Sequence, residues 1–170
     1  TRDQDLRDDL YFIQNATGAT LASFDSFLIS RGIKTLDLRI RAQSSSAMEI
    51  ASRLSGDDRI ANVLYPGLPH HPGHDLACRQ MDGAFGSMVS FEIKGDFDTA
   101  KRMVDGTTIF QLAVSLGAVE SLIEQPASMS HASYDAADRK QHGIGDGLVR
   151  LSVGLEDVED LWSDLDTALA

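Results

Sequence analysis

Cysteine is nearly absent: Cys78 is the one thiol in 170 residues, so no disulfide can close within the chain, and a reducing, cytoplasmic setting is expected. Lysine is scarce, with Lys34, Lys94, Lys101 and Lys140 making up the set, and each stands in a polar context unlike that of a desolvated amine nucleophile. No apolar run is long enough to cross a bilayer, and Thr1-Arg2-Asp3-Gln4-Asp5 has no apolar signal-peptide segment. Positive charge is in deficit: 15 Lys and Arg against 26 Asp and Glu leave a net charge of −11. Such a chain repels phosphate backbones and anionic lipid, so neither nucleic acid nor a membrane is an expected partner. There is no methionine at position 1, and the expectation is a piece of a longer protein. What is present, 42% hydrophobic and 24% charged residues, suffices for one ordinary domain with a sizeable core.

Periodicity divides the chain. Leu21, Phe24, Phe27 and Leu28 predict a helix over 17–32, stopped by Gly32. Leu36, Ile40, Ala47, Ile50, Ala51 and Leu54 mark a longer one over 35–54. After Asp58 strands and helices alternate. Strands are expected at 60–65, 87–93, 109–114, 122–124 and 148–153, and helices at 75–81, 97–104 (capped by Asp96), 135–141 and 158–169. The fold class is α/β: a mixed sheet with helices on one face, preceded by helices, with a boundary between 37 and 58.

Five places could carry chemistry. His70, His71 and His74 are dense enough for a metal site, but no partner acid stands at a ligand spacing, and a rigid Pro-framed loop with local hydrogen bonds is the preferred reading. Gly143-Ile144-Gly145-Asp146-Gly147 lacks the spacing of a dinucleotide fingerprint and reads as a loop feeding a strand. Cys78 reads as a packing thiol with no activating base. Arg150 stands in a strand beside apolar neighbours, sharing a face with Leu148 and Ser152. A guanidinium there needs an anion. Two readings stay open: a fork for a ligand carboxylate, or an internal ion pair with an acid such as Glu156 or Asp157. Ser115, at the end of an apolar run, can face a ligand or cap a turn, and by itself favours the turn.

Several segments together resemble a known family. Tyr65 to Pro72 is similar to a stretch of the form YPGLxxHPxH, Phe110 to Leu122 to LAxSLGxxESL, Pro126 to Ala132 to PAxMTHA, and Gly147 to Asp157, GLVRLSVGLED, to a closing signature. The family is the Cys/Met-metabolism group of pyridoxal-phosphate enzymes: cystathionine γ-lyase, β-lyase and γ-synthase, and methionine γ-lyase. The resemblance runs from Tyr11 to Leu169, and it is specific for the family rather than for one reaction.

The resemblance implies a fold type I, aminotransferase-like enzyme, with 1–37 as the end of the large cofactor domain and 38–170 as the C-terminal small domain, joined by a long helix. It implies that Arg150 binds the substrate α-carboxylate and that Ser115 is catalytic beside the cofactor lysine, with Val114, Ser115 and Leu116 lining the substrate. The Schiff-base lysine, in a Ser-x-x-Lys context, belongs upstream, so no cofactor-binding residue and no metal ligand is expected in this chain, which alone should be inactive. The implied activity is γ-elimination from a sulfur amino acid, releasing a thiol, ammonia and a 2-oxo acid. The alternatives are γ-replacement and an isolated assembly module. The implied partners are a small sulfur amino acid, the missing N-terminal portion, and further copies in a homotetramer. Val114 stands where γ-lyases and γ-synthases carry an acid and resembles methionine γ-lyases. Ser130 replaces the usual Thr, Ser87 a common Gly, and Gln43 a frequent His, the last two bearing on packing.

Overall fold

The computed structural model describes residues 1–170, which divide into two compact units, Thr1–Asp37 and Leu38–Ala170. The first unit holds α1 (Gln4–Thr17) and α2 (Ser23–Ile33). The sequence reading missed α1. Asp3 caps its start by accepting from the Leu6 amide at 3.0 Å, and Gly18 ends it at φ +65°, a backbone conformation that only glycine adopts without strain. That stop displaces the expected helix over 17–32, which begins only at Ser23. Neither helix buries a residue, and Leu10, Phe12, Phe24 and Phe27 are all exposed.

The second unit is a sheet with helices. In chain order it contains α3 (Leu36–Ser55, whose first two residues belong to the other unit), β1 (Ile60–Leu64), α4 (His74–Gln80), β2 (Met88–Ile93), α5 (Phe97–Asp105), β3 (Gln111–Leu112), β4 (Leu122–Glu124), α6 (Ala136–Gln141), β5 (Leu148–Ser152) and α7 (Val158–Leu169). The sheet order is β1-β2-β5-β4-β3. All pairs are antiparallel except β3 with β4, so the sheet is mixed as expected.

The two faces of the sheet differ because strand residues alternate. Val89, Phe91 and Ile93 of β2 and Val149 and Leu151 of β5 join the core, where they meet Ala47, Ile50, Ala51 and Leu54 of α3, Met103 and Val104 of α5, and Leu161 and Leu165 of α7. Each of these large aliphatic side chains contributes about 1.5–3 kcal/mol when removed from water. Among the alternate residues one cross-strand row is polar and in register: Ser90 on β2 faces Arg150 on β5, which faces Glu124 on β4. The apolar periods of α3, α5 and α7 therefore fix one face, and the chemistry is left on the other.

Strand β3 is much shorter than the expected 109–114. Its entry is bent by Asp164 of α7, whose carboxylate accepts from the Thr108 amide (2.8 Å) and hydroxyl (2.7 Å), the Ile109 amide (2.9 Å) and the Phe110 amide (3.0 Å). Burial alone would raise the pKa of Asp164, but these donors outweigh it and hold the carboxyl below its ordinary range. Phe110 is thereby turned into the core.

Candidate functional site

The polar face of the sheet organises the segment that follows β3. The last ladder bond runs from the Ala113 amide to Ile123 O at 3.0 Å. Beyond it the chain is held by side chains. Arg150 Nη2 donates to Val114 O (2.7 Å) and Ser115 O (3.2 Å). Two residues on, Ser152 Oγ accepts from the Gly117 amide at 2.8 Å. Gln43 of α3, buried, donates to Ala118 O at 2.8 Å. Gln43, where the resemblance implies a His, thus anchors this segment.

A second set of bonds fixes the base of the segment. The amide and hydroxyl of Ser121 both donate to Glu156 at 2.8 Å, and the Gly154 amide donates to Ser121 Oγ at 2.8 Å. A Cβ at Gly154 would lie 2.6 Å from the Ser121 amide and closer still to Val119 O, so no other residue fits there. This corrects the acids named as ion-pair candidates for Arg150. Glu156 serves Ser121, and Asp157 caps α7 by accepting from the Glu159 amide at 2.9 Å.

The partner of Arg150 is Glu124, at 2.9 Å from Nη1 to Oε1. Glu124 is 1% exposed, against 22% for the Arg150 side chain. Of the two readings left open for the arginine, the structure shows the internal ion pair, with Glu124 as its acid, and it also places Arg150 against the backbone of Ser115. A guanidinium carries five N–H donors. The bonds to Glu124, Val114 and Ser115 leave at least two of them without a protein acceptor, one of these being Nε, which is buried. Two cavities of about 660 Å³ each touch neither Arg150 nor Ser115.

The structure places Val114, Ser115 and Leu116 on one exposed segment, with Val114 at 52% and Leu116 at 55% exposure. It is the carbonyl of Ser115 that meets Arg150. Sequence reasoning missed Glu124 and Ser152. The available signal was a lone acid inside the apolar strand Leu122-Ile123-Glu124, directly parallel to the logic applied to Arg150.

The histidine-rich loop bonds locally. His71 Nδ1 accepts from the Gly73 amide at 3.0 Å, and His74 Nδ1 lies 2.9 Å from Pro66 O, which can only accept and so fixes the proton on Nδ1. No group of three His, Cys, Asp or Glu residues is close enough to hold a metal ion. Cys78 departs from the expectation: it is exposed, and its sulfur lies 3.4 Å from His74 Nε2, because residues four apart share a helix face. The glycine-rich segment before β5 is a loop, as expected, turning through a bond from the Leu148 amide to Gly145 O at 3.2 Å.

Comparison with known proteins fixes the family. The family model for Cys/Met metabolism PLP-dependent enzymes matches residues 1–170. The chain belongs to that family. It is similar to the cystathionine beta-lyase of Coxiella burnetii, 48% identical over 164 residues that cover 96% of this chain and 42% of that one. It is similar to the cystathionine gamma-lyase of Mus musculus, 50% identical over 165 residues, covering 97% of this chain and 41% of the relative. Among solved structures, cystathionine gamma synthase from Xanthomonas oryzae pv. oryzae in complex with cystathionine matches with a TM-score of 0.91 and 48% identity, over 99% of this chain and 43% of that one. The chain thus spans less than half the length of the relatives it matches. Its α/β fold corresponds to the C-terminal part of these fold type I enzymes. Lyases and synthases stand at nearly equal similarity, so membership fixes the transsulfuration family and not the individual reaction. No helix is long and apolar enough to cross a membrane.

Four exposed lysines do not make an anchor for pyridoxal phosphate in this chain. Lys34 and Lys140 are exposed, Lys94 Nζ donates to Asp58 O at 2.7 Å, and Lys101 pairs with Asp105 at 2.8 Å. None is desolvated as an imine-forming amine must be.

Proposed function

We propose that this chain is the C-terminal part of a sulfur-amino-acid lyase, in which Arg150 grips the α-carboxylate of the substrate. The single observation that carries the reading is the state of Arg150. It stands in the polar row of the sheet, held on two sides by protein acceptors, with at least two N–H donors not bonded to protein, one of them the buried Nε. Clamping the acid end of an amino acid sets the angle at which its reacting Cα bonds are presented. The 114–116 segment, which Arg150 itself holds, then lies beside the substrate. Ser115 is the residue proposed to steer proton movement there, and Val114 and Leu116 offer it apolar walls.

The apolar side chain at Val114 favours γ-elimination from a thioether, in which substrate and water yield a thiol, ammonia and a 2-oxo acid. An acidic side chain there, as the resemblance implies for both cystathionine γ-lyases and γ-synthases, would suit the second ammonium group of cystathionine, so Val114 speaks for an apolar thioether and not for strict cystathionine specificity. Pyridoxal phosphate would be held by lysine-bearing parts of the enzyme, since the lysines present here do not fit it. The 1–37 unit is assigned to the large domain and 38–170 to the small domain. The exposed Leu10, Phe12, Phe24 and Phe27 support this, because apolar surface of that kind is normally covered. A homotetramer is the assembly proposed.

The test is Arg150→Lys in the complete, cofactor-loaded enzyme. Lysine keeps the charge and loses the fork, which should cost about 1.5–3 kcal/mol of carboxylate binding, or roughly 10- to 100-fold in kcat/KM. An unchanged specificity constant would remove the assignment.

A further inference from the structure

We propose that Glu124 is the positioning residue of the carboxylate site: it sets the plane of the Arg150 guanidinium and limits how tightly that group holds an acid. This rests on the reading of Arg150 given above. Glu124 ends β4 directly across from Arg150 in the antiparallel register, on the polar face of the sheet. A carboxylate that is 1% exposed is costly to keep charged unless it is bonded. Its Oε1 accepts from Arg150 Nη1 at 2.9 Å and from Ser130 Oγ at 3.2 Å. Ser130 Oγ is also 3.0 Å from His131 Nδ1. A hydroxyl has one hydrogen, so when Ser130 donates to Glu124 the imidazole must donate to Ser130. A continuous chain then runs from Arg150 through Glu124 and Ser130 to His131.

This chain explains how a long, flexible side chain keeps one orientation. Carbonyls of Val114 and Ser115 hold Nη2, and Glu124 holds Nη1. Acceptors on two nitrogens fix a planar group, and a preorganised fork loses less freedom on binding. Glu124 also opposes the ligand. Two carboxylates on one guanidinium repel, so the resident acid weakens the grip and favours release. Orientation and charge can therefore be separated. Glu124→Asp keeps the charge and withdraws the acceptor by one methylene, whereas Glu124→Gln keeps an acceptor oxygen at full reach and removes the charge.

The experiment uses the complete enzyme with cofactor and measures kcat and KM for cystathionine, together with the inhibition constant of propionate, a carboxylate with no amine. Glu124→Asp should raise both KM and the propionate constant about tenfold, with a smaller change in kcat. Glu124→Gln should restore the propionate constant to within about threefold of the parent or below it. If Glu124→Asp stays within about twofold while Arg150→Lys weakens propionate, the inference is overturned and the arginine assignment survives. The inference is also overturned if the glutamine variant weakens propionate as much as the aspartate variant. If Arg150→Lys leaves propionate unaffected, the carboxylate assignment itself fails, and the inference falls with it. Should Glu124→Asp not fold, judged by thermal melting, Glu124→Gln decides alone: a propionate constant raised about tenfold overturns the inference, and one at or below the parent's supports it.

Discussion

Asparagine at position 164 would test how the sheet is tied to its last helix. Each oxygen of Asp164 accepts two donors: Oδ1 serves the amide and hydroxyl of Thr108, and Oδ2 the amides of Ile109 and Phe110. An asparagine keeps one oxygen and presents an NH2 group on the other side; only the Thr108 hydroxyl can reverse to accept from it, so at least one bond to a charged acceptor is lost and the others become bonds to a neutral amide. One lost charged bond together with the weakening of the rest costs about 3 kcal/mol. Native-state hydrogen exchange in the complete enzyme reads this locally. The Ile109 and Phe110 amides should lose protection by roughly 100-fold at pH 7. The pH dependence has a definite sign. The folded pKa is lowered, so the stabilisation is fully present above the unfolded value near ~3.9 and is lost as pH falls through the lower folded value. Parent and variant should therefore differ fully at neutral pH and converge in strong acid. Equal protection at pH 7, or a gap that persists unchanged into strong acid, would refute this account of the 107–110 turn.

Three further substitutions probe the frame of the site. Tyr65→Phe removes a buried hydroxyl that donates to Gly86 O at 2.9 Å, and should lower stability by about 1–2 kcal/mol in urea or thermal unfolding. Gln43→Ala strips the donor from Ala118 O, and should cost about 1–2 kcal/mol and speed exchange at the Gly117 amide; unchanged exchange would show that α3 does not anchor this segment. Gly154→Ala drives a methyl into the Ser121 amide and Val119 O, both backbone, and should destabilise by about 3 kcal/mol, seen as a lower melting temperature. A fully stable alanine variant would mean that the strand end does not approach the Ser121 turn as described.

Local chemistry was legible where it came with a recognisable core face. The cap at Asp96 is found as read, accepting from the Thr99 amide at 2.9 Å, and the alternation in β2 gives the buried face of that strand. Of the α3 period, Ala47, Ile50, Ala51 and Leu54 enter the core, while Leu36 stays exposed and Ile40 half-buried; the amphipathic period of α7 delivers Leu161, Leu165 and Leu169. The missed helix α1 had its signals in plain view, an Asp at the start and a Gly at the stop, yet its apolar residues remain exposed and so gave a pattern without an evident core. The shortening of β3 was not legible, because the apolar run Ile109–Val114 looks like a strand until Asp164, more than fifty residues later, claims three consecutive backbone amides.

The same distinction governs the site. Arg150 declared itself because a cation among apolar strand residues is a local anomaly whose resolution must be electrostatic. Which acid resolves it is a question of register. Glu156 and Asp157 are close in sequence, but the chain turns away after Ser152, and both acids are used to secure that turn. Glu124 is twenty-six residues upstream and becomes the neighbour only because β4 lies antiparallel to β5 with Glu124 opposite Arg150. Ser130 and His131 join the chain of bonds through the turns that follow β4, including the His131 amide to Pro126 O at 2.8 Å. A sequence can show that a charge needs a partner. The pairing of strands decides which partner it gets: at Arg150, a buried glutamate on one nitrogen and backbone carbonyls on another.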